Sequence, residues 1–168
     1  LQNLSQVSAN LERVFETIDE QNPITEKNDA KELANVRGEV DFEKVTFGYE
    51  AGINVLENFD LHVAAGETIA LVGPTGAGKT TVINLITRFY DPAAGCVKID
   101  GINVRDVTLG SLRSRVGVLM QDPFIFKGTI IDNIRYGRPE ATDEECIAAA
   151  ERIYADRVAK RYPDGFYA

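Results

Sequence analysis

Apolar and polar residues alternate along the front half of the chain in a pattern that predicts β-strands. Residues 40–49 carry an apolar side chain at nearly every second position, with one slip that indicates a β-bulge. Further strands are predicted over residues 59–63 and 96–100, and the pair Asp100-Gly101 is a typical hairpin turn. We therefore expect an antiparallel β element early in the chain.

Two continuous apolar runs predict strands of another kind. Residues 68–72 and 116–120 lack polar alternation, which is typical of buried strands in an α/β fold. After residue 78, apolar residues recur at i, i+3, i+4 and i+7, so a helix is predicted there. Its apolar face consists of Val82, Leu85, Ile86 and Phe89.

Capping boxes predict where two later helices begin. Thr129 with Asp132, and Thr142 with Glu145, have the spacing at which side chains and backbone N–H groups satisfy one another. A short helix is also predicted over residues 112–115.

The beginning of the chain has its own pattern. Apolar residues in residues 1–20 recur at spacings of three and four, which predicts a helix whose stripe needs a neighbour to cover it. The stripe consists of Leu4, Val7, Leu11, Val14 and Ile18. Residues 21–36 are polar and acidic and contain Pro23, so they are interpreted as a linker before a domain over residues 37–168.

The segment between the predicted strand 68–72 and the predicted helix carries the candidate chemistry. Residues 73–80 match the phosphate-binding pattern G-x-x-x-x-G-K-[ST] at every fixed position. Glycines let backbone N–H groups approach phosphate oxygens, and the helix start adds unpaired N–H groups. Lys79 would reach the β- and γ-phosphates of ATP, and the Thr80 hydroxyl would ligate Mg²⁺. The predicted cradle consists of Gly73, Thr75, Gly76, Ala77, Gly78, Lys79, Thr80 and Thr81.

The net charge of the chain argues against nucleic acid as a partner. The 168 residues suit one domain, and 18 basic against 26 acidic residues give a net charge of −8. Such a chain is not expected to bind nucleic acid non-specifically, whereas ATP needs only a local phosphate site. With no apolar run long enough to span a bilayer and no signal-peptide pattern, we expect a soluble chain.

The cysteines and the single histidine show no metal-binding spacing. Cys96 and Cys146 are interpreted as small buried residues in a reducing compartment. His62 falls in a predicted strand without evident partners, so we interpret it as a packing or surface residue.

Several segments together resemble the nucleotide-binding domain of ATP-binding cassette (ABC) transporters of the exporter type. Residues 45–49 are similar to its A-loop strand and residues 73–81 to its Walker A motif. Residues 88–101 are similar to the stretch after the phosphate-loop helix, and residues 121–126 to the Q-loop region. Residues 129–137 continue the exporter pattern. The resemblance implies an α/β P-loop NTPase core with an antiparallel β subdomain.

The resemblance also assigns roles to side chains. Tyr49 would stack on adenine, with a core tyrosine at a strand end as the alternative, and Val55 would line the adenine edge. Gln121 would bind Mg²⁺ or orient the attacking water, which makes it a catalytic candidate beside Lys79; a polar residue ending a strand is the alternative. Asp122 superficially mimics a Walker B aspartate, but its neighbours favour the Q-loop.

The resemblance covers residue 37 onward and ends before the signature, Walker B, D-loop and switch-histidine elements. We therefore expect the N-terminal part of a domain whose parent is an ATPase that exports a substrate, with this chain binding ATP at most. The implied partners are the transmembrane domain of the same polypeptide, reached through residues 1–20, and a second nucleotide-binding domain. The implied place is the cytoplasmic face of the cell membrane.

Two other classes of protein remain open on the sequence. A small complete P-loop switch or kinase would share the phosphate loop, and GTP selectivity or phosphate transfer to a small acceptor would distinguish it. An interaction module would use the N-terminal stripe, with nucleotide incidental.

Overall fold

The computed structural model describes residues 22–168, together with residues 11, 14, 15, 18 and 19. It contains two compact units, the first ending at Gly117 and the second covering residues 118–168. The predicted N-terminal stripe lies largely outside the described residues. Of its members, Leu11, Val14 and Ile18 are described as helical and exposed.

A four-stranded antiparallel sheet forms the centre of the first unit. Its strands are β1 (Val40–Phe47), β2 (Leu56–Val63), β3 (Ala94–Ile99) and β4 (Ile102–Asn103), in the order β2-β1-β3-β4. The antiparallel β element predicted from the alternation is therefore confirmed.

The alternation in β1 positions one face of the sheet toward the core. Phe42, Val45 and Phe47 are buried, and the pairing with β2 shifts register on both sides of Val45. The shift between Phe42 and Val45 is the irregularity that the slip in the pattern predicted. Between β3 and β4, Asp100 and Gly101 both adopt positive φ angles, of 50° and 77°, as the predicted hairpin turn requires.

Two helices pack beside this sheet. The first, α1 (Lys79–Ile86), buries Val82 and Leu85, while α2 (Leu109–Arg113) buries Leu112. The core that the helices and the sheet share consists of Leu33, Phe42, Val45, Phe47, Leu56, Val82, Leu85, Val97, Ile99, Val104, Val107 and Leu112.

The prediction that Phe89 belongs to the apolar face of α1 is wrong. The helix ends at Ile86, and Arg88 adopts a left-handed φ of 50° that turns the chain away from the helix axis. As a result Phe89 lies beyond the helix and is 53% exposed.

The two continuous apolar runs do not form the buried strands that the sequence predicts. Residues 68–72 and 116–120 have no regular secondary structure, with Val72 90% exposed and Leu119 93% exposed. Apolar content favours a strand, but a strand forms only where another strand completes its hydrogen bonds. Among residues 22–168, no strand pairs with either run.

The segment predicted as a linker is irregular in backbone but packs onto the first unit. Ile24 and Leu33 are buried. Lys31 exchanges backbone hydrogen bonds with Asp106 and Thr108, both at 2.9 Å. These contacts fix residues 24–33 against the domain.

The second unit is helical. It contains α3 (Ile130–Arg135), α4 (Asp143–Arg152) and α5 (Asp156–Ala159). Both predicted capping boxes are confirmed, at Thr129 before α3 and at Thr142 before α4. In the part of the chain that the structure describes, no helix has the length and apolar content needed to cross a membrane.

Candidate nucleotide-binding site

The candidate phosphate loop turns tightly from residue 73 into α1. Gly76 and Gly78 adopt φ angles of 86° and 83°, a left-handed conformation that costs glycine little. Gly78 is the N-cap of α1, and no side chain caps the helix. The N–H groups of the first turn, which have no partner inside a helix, therefore remain available to an anion.

Space as well as conformation requires glycine at position 78. A Cβ atom there would lie 2.9 Å from Leu56 Cδ2 and 3.3 Å from Val55 Cγ1. Leu56 belongs to the buried core, and the Val55 N–H donates to the Phe47 carbonyl at 2.7 Å. The start of α1 is thus packed against the strand that follows Val55, which positions the predicted adenine-edge residue beside the loop.

The ammonium group of Lys79 lies over the loop. Its Nζ donates to the carbonyl oxygens of Gly73 at 2.8 Å and Pro74 at 2.7 Å. None of the ion pairs within residues 22–168 includes Lys79. The Lys79 ammonium therefore lies beside the N-terminus of α1, and both the ammonium and the helix dipole attract an anion.

The two threonines after Lys79 face opposite environments. Thr80 is exposed, whereas Thr81 is only 3% exposed. The buried position of Thr81, together with Val82 and Leu85, anchors the first turn of α1 in the core. The exposed hydroxyl of Thr80 is an oxygen donor of the kind that Mg²⁺ prefers. Thr75, also exposed, lies at the tip of the loop.

Tyr49 lies beside α1 and is tied to it by hydrogen bonds. Its hydroxyl is 3.1 Å from Thr81 Oγ1 and accepts from Asn84 Nδ2 at 3.1 Å. Its ring makes edge-to-face contacts with Phe47 and Tyr90, at centroid distances of 5.0 and 5.1 Å. The residue is still 49% exposed, so part of its ring is open to a ligand.

Gln121 belongs to the second unit and is exposed in a segment without helix or strand. The stretch that follows it is held by Asn133 in α3. The Asn133 side chain accepts from the Phe126 N–H at 2.8 Å and donates to the Phe126 carbonyl at 3.1 Å. Phe126 also stacks on Tyr136, with ring centroids 4.2 Å apart. Sequence reasoning missed the role of Asn133, because a side-chain-to-backbone clamp has no pattern of its own.

A buried arginine at the far end of α1 was also missed. Arg88 is 3% exposed and donates from Nε to Asp91 at 3.0 Å and from Nη2 to the Thr25 carbonyl at 3.0 Å. Arg113 in turn donates to the carbonyls of Thr87 and Arg88, at 3.2 and 3.0 Å. The Arg113 bonds thus satisfy two carbonyls directly after the carboxyl end of α1, and the Arg88 bonds tie this part of the chain to Asp91 and Thr25.

A glycine-rich loop that leads into a core-anchored helix, with a lysine over the loop, defines the class of P-loop nucleotide-binding proteins. The family model described as ABC transporter matches residues 56–166. The chain therefore belongs to the ABC transporter family, and its relatives place it with the ATP-binding domains of exporters.

Three relatives illustrate the match. The uncharacterized ABC transporter ATP-binding protein YknV of Bacillus subtilis is 47% identical over 94% of this chain and 26% of its own length. A fatty acid ABC transporter ATP-binding/permease protein of Mycobacterium bovis is 45% identical over 94% of this chain and 25% of its own. A solved bacterial Atm1-family ABC exporter with ATP bound superposes with a TM-score of 0.88 and 37% identity.

The superposition covers 98% of this chain and 29% of the solved exporter. The chain thus spans about a quarter of the length of the curated relatives it matches.

Proposed function

We propose that this chain binds Mg²⁺-ATP as part of the ATP-binding domain of an ABC exporter. The observation that carries the proposal is the Lys79 ammonium, held by two loop carbonyls at the uncapped start of α1. A triphosphate oxygen entering there would replace the carbonyls as the acceptor. It would accept hydrogen bonds from the N–H groups at the start of α1 and form an ion pair with the Lys79 ammonium.

The adenine ring would lie against Tyr49. The tyrosine reaches the same helix that starts the phosphate loop, and half of it is exposed. Val55 supports this geometry, because it packs beside Gly78 at the loop. A base stacked on an aromatic ring typically gains about 1–3 kcal/mol.

Mg²⁺ would be bound through oxygen atoms of this chain. The exposed Thr80 hydroxyl at the second position of α1 would hold the ion beside the phosphates. For Gln121 we propose one of two roles, either binding Mg²⁺ or orienting the attacking water. Bound Mg²⁺ would neutralise charge on the transferring phosphoryl group. Lys79 and the backbone N–H groups of the phosphate loop would bind and orient the phosphates.

The parent protein, on this proposal, is an ATPase that couples ATP binding and hydrolysis to export of a hydrophobic or lipid-like substrate. Support comes from relatives that are described as ATP-binding/permease proteins, one of them for fatty acids. The partners would then be a transmembrane domain of the same polypeptide and a second nucleotide-binding domain, at the cytoplasmic face of the cell membrane. The chain by itself would bind ATP and hydrolyse little of it.

Calorimetric titration with Mg²⁺-ATP tests the proposal. The Lys79→Ala variant should bind at least tenfold more weakly, because hydrogen bonds to a charged group contribute about 1.5–3 kcal/mol. Lys160→Ala is the matched control, since it removes a lysine that pairs with Asp156 at the surface of the second unit. It should bind as the wild type does.

Equal affinity of the wild type and Lys79→Ala would contradict the proposed site. Strong GTP selectivity, or phosphate transfer to a small acceptor, would instead support a P-loop switch or kinase. The first result would argue against the phosphate site itself. The second would leave the site in place and change only the proposed ligand and reaction.

A further inference from the structure

Three potential metal ligands meet on the sheet of the first unit, outside the nucleotide site. Glu39, Asp41 and His62 each offer one ligand atom, and these atoms all lie within 4.8 Å of one another. The His62 Nδ1 atom is 2.6 Å from Asp41 Oδ1. His62 is the only histidine in the sequence, so the group gathers the chain's one imidazole with two carboxylates.

The strand register explains why the three side chains converge. Asp41 in β1 lies directly opposite His62 in β2. Glu39 precedes Asp41 by two residues, and side chains two apart along an extended backbone point to the same side. The group therefore rests on paired strands, which give a more rigid support than a loop.

The nearest lysine on the neighbouring strand is engaged elsewhere. Lys98 in β3 is the cross-strand partner of Asp41, but its ammonium lies 2.6 Å from Glu43 Oε1. The positive charge of Lys98 is thereby paired with a carboxylate outside the group.

We infer that Glu39, Asp41 and His62 form a surface site for a divalent transition-metal ion of the Zn²⁺ type. One imidazole nitrogen with carboxylate oxygens is a ligand set that Zn²⁺ accepts, and hydroxyls or waters complete the coordination. Zn²⁺ lies about 2.0–2.2 Å from such ligands, so the Nδ1 and Oδ1 atoms must separate by several tenths of an ångström. His62 is 62% exposed in its side chain, which gives it room to rotate.

The site would differ from the nucleotide site in its ion. Mg²⁺ prefers an all-oxygen environment, whereas the imidazole favours Zn²⁺, Ni²⁺ or Cu²⁺. Bound metal would join β1 to β2 at the end of the sheet where Glu39 lies.

Titration of the untagged chain with ZnCl₂, without nucleotide, tests the inference. The experiment uses a Cys96→Ser, Cys146→Ser background, so that thiolates do not bind the ion. It is done at pH 8, because the hydrogen bond to Asp41 raises the pKa of His62 and a proton would compete. We expect one equivalent of Zn²⁺ to bind, and His62→Gln to weaken binding at least tenfold.

Asp41→Asn separates a metal site from a simple ion pair. It should also weaken Zn²⁺ binding at least tenfold, whereas Glu57→Gln, a charge-matched change in β2 outside the group, should not. The single imidazole resonance in the NMR spectrum should shift on Zn²⁺ addition and stay unmoved by MgCl₂. Absence of saturable binding, or binding that persists in His62→Gln, would overturn the inference. Far-UV circular dichroism checks that each variant is folded.

Discussion

The hydroxyl of Tyr49 lies 3.1 Å from the hydroxyl of Thr81. Since Thr81 is buried in the first turn of α1, this contact joins the side of the site proposed for the base to the helix that starts the phosphate loop. The edge-to-face contact with Phe47 extends the connection into β1. Tyr49 therefore links β1 to α1, the helix that begins at the phosphate loop.

Substitution of Tyr49 should separate the ring from the hydroxyl. Tyr49→Ala removes the stacking surface and should weaken Mg²⁺-ATP binding by about 5–150-fold, which corresponds to about 1–3 kcal/mol. Tyr49→Phe keeps the ring and should retain most of the affinity. It should lower the free energy of unfolding by about 0.5–1.5 kcal/mol, because the bonds to Thr81 and Asn84 are lost. Calorimetry and urea unfolding measure the two effects. Equal affinities of the two variants would contradict stacking on this ring.

Two glycines of the phosphate loop offer a matched pair of alanine variants. Both have positive φ angles, so Gly76→Ala and Gly78→Ala each force alanine into a conformation that costs about 1–2 kcal/mol. Only at Gly78 does the added Cβ meet other residues, Leu56 and Val55, while the space at Gly76 is open. Gly78→Ala should therefore lower the free energy of unfolding more than Gly76→Ala. Urea unfolding of both variants decides this, and the reverse order would refute the packing at Gly78.

The buried Arg88 should stabilise both α1 and the segment before β1. Arg88→Met should cost about 1.5–3 kcal/mol of unfolding free energy, the usual contribution of hydrogen bonds to charged groups. Breaking a buried ion pair and leaving one charge without a partner costs roughly 3–5 kcal/mol. The cost here should be smaller, because the Asp91 carboxylate still pairs with Arg105 at 3.3 Å. Hydrogen exchange should also speed up in residues 24–33, which lose the bond to the Thr25 carbonyl.

The control for Arg88 is its more exposed neighbour. Arg105 is 39% exposed in its side chain, so Arg105→Met should change the free energy of unfolding by less than about 1 kcal/mol. Equal losses of unfolding free energy in the two variants would show that the burial of Arg88 does not increase its contribution to stability.

Asp100 should make stability depend on acid pH. Burial raises its pKa, but the backbone N–H groups of Arg37, Glu39 and Gly38 outweigh burial and hold the pKa below its ordinary value. A lowered pKa in the folded state contributes stability above the unfolded pKa of about 3.9, and this stability is lost as pH falls through the folded pKa. Asp100→Asn is the matched variant, because asparagine tolerates the left-handed turn conformation.

Urea unfolding at pH 5 and near pH 2 compares the two proteins. The wild type should exceed Asp100→Asn in stability at pH 5, and the difference should shrink at the lower pH. A difference that is independent of pH would show that the charge of Asp100 does not act through these N–H groups.

The features that the sequence predicted well are local ones. The glycine turn before α1, the two capping boxes and the Asp100-Gly101 turn each depend on residues within a few positions, so the sequence of a short segment is enough to predict them. The slip in the pattern around Val45 likewise predicted the bulge.

Features that depend on distant partners were harder to predict. The runs 68–72 and 116–120 have the composition of strands, but pairing rather than composition decides whether a strand forms. Arg88 binds the Thr25 carbonyl 63 residues away, which no spacing reveals. His62 has Asp41 opposite it only because of a register that the bulges in β1 help to set.

Backbone amide NMR of the isotope-labelled chain, titrated with Mg²⁺-ATP, tests the proposed phosphate site most directly. We expect saturable shifts that are largest for the amides of residues 76–81, and we expect Lys79→Ala to lose them. Amides of β4 should move little, which serves as an internal control. Saturable shifts elsewhere with an unmoved phosphate loop, or no shift at millimolar Mg²⁺-ATP, would contradict the claim that this loop forms the nucleotide site.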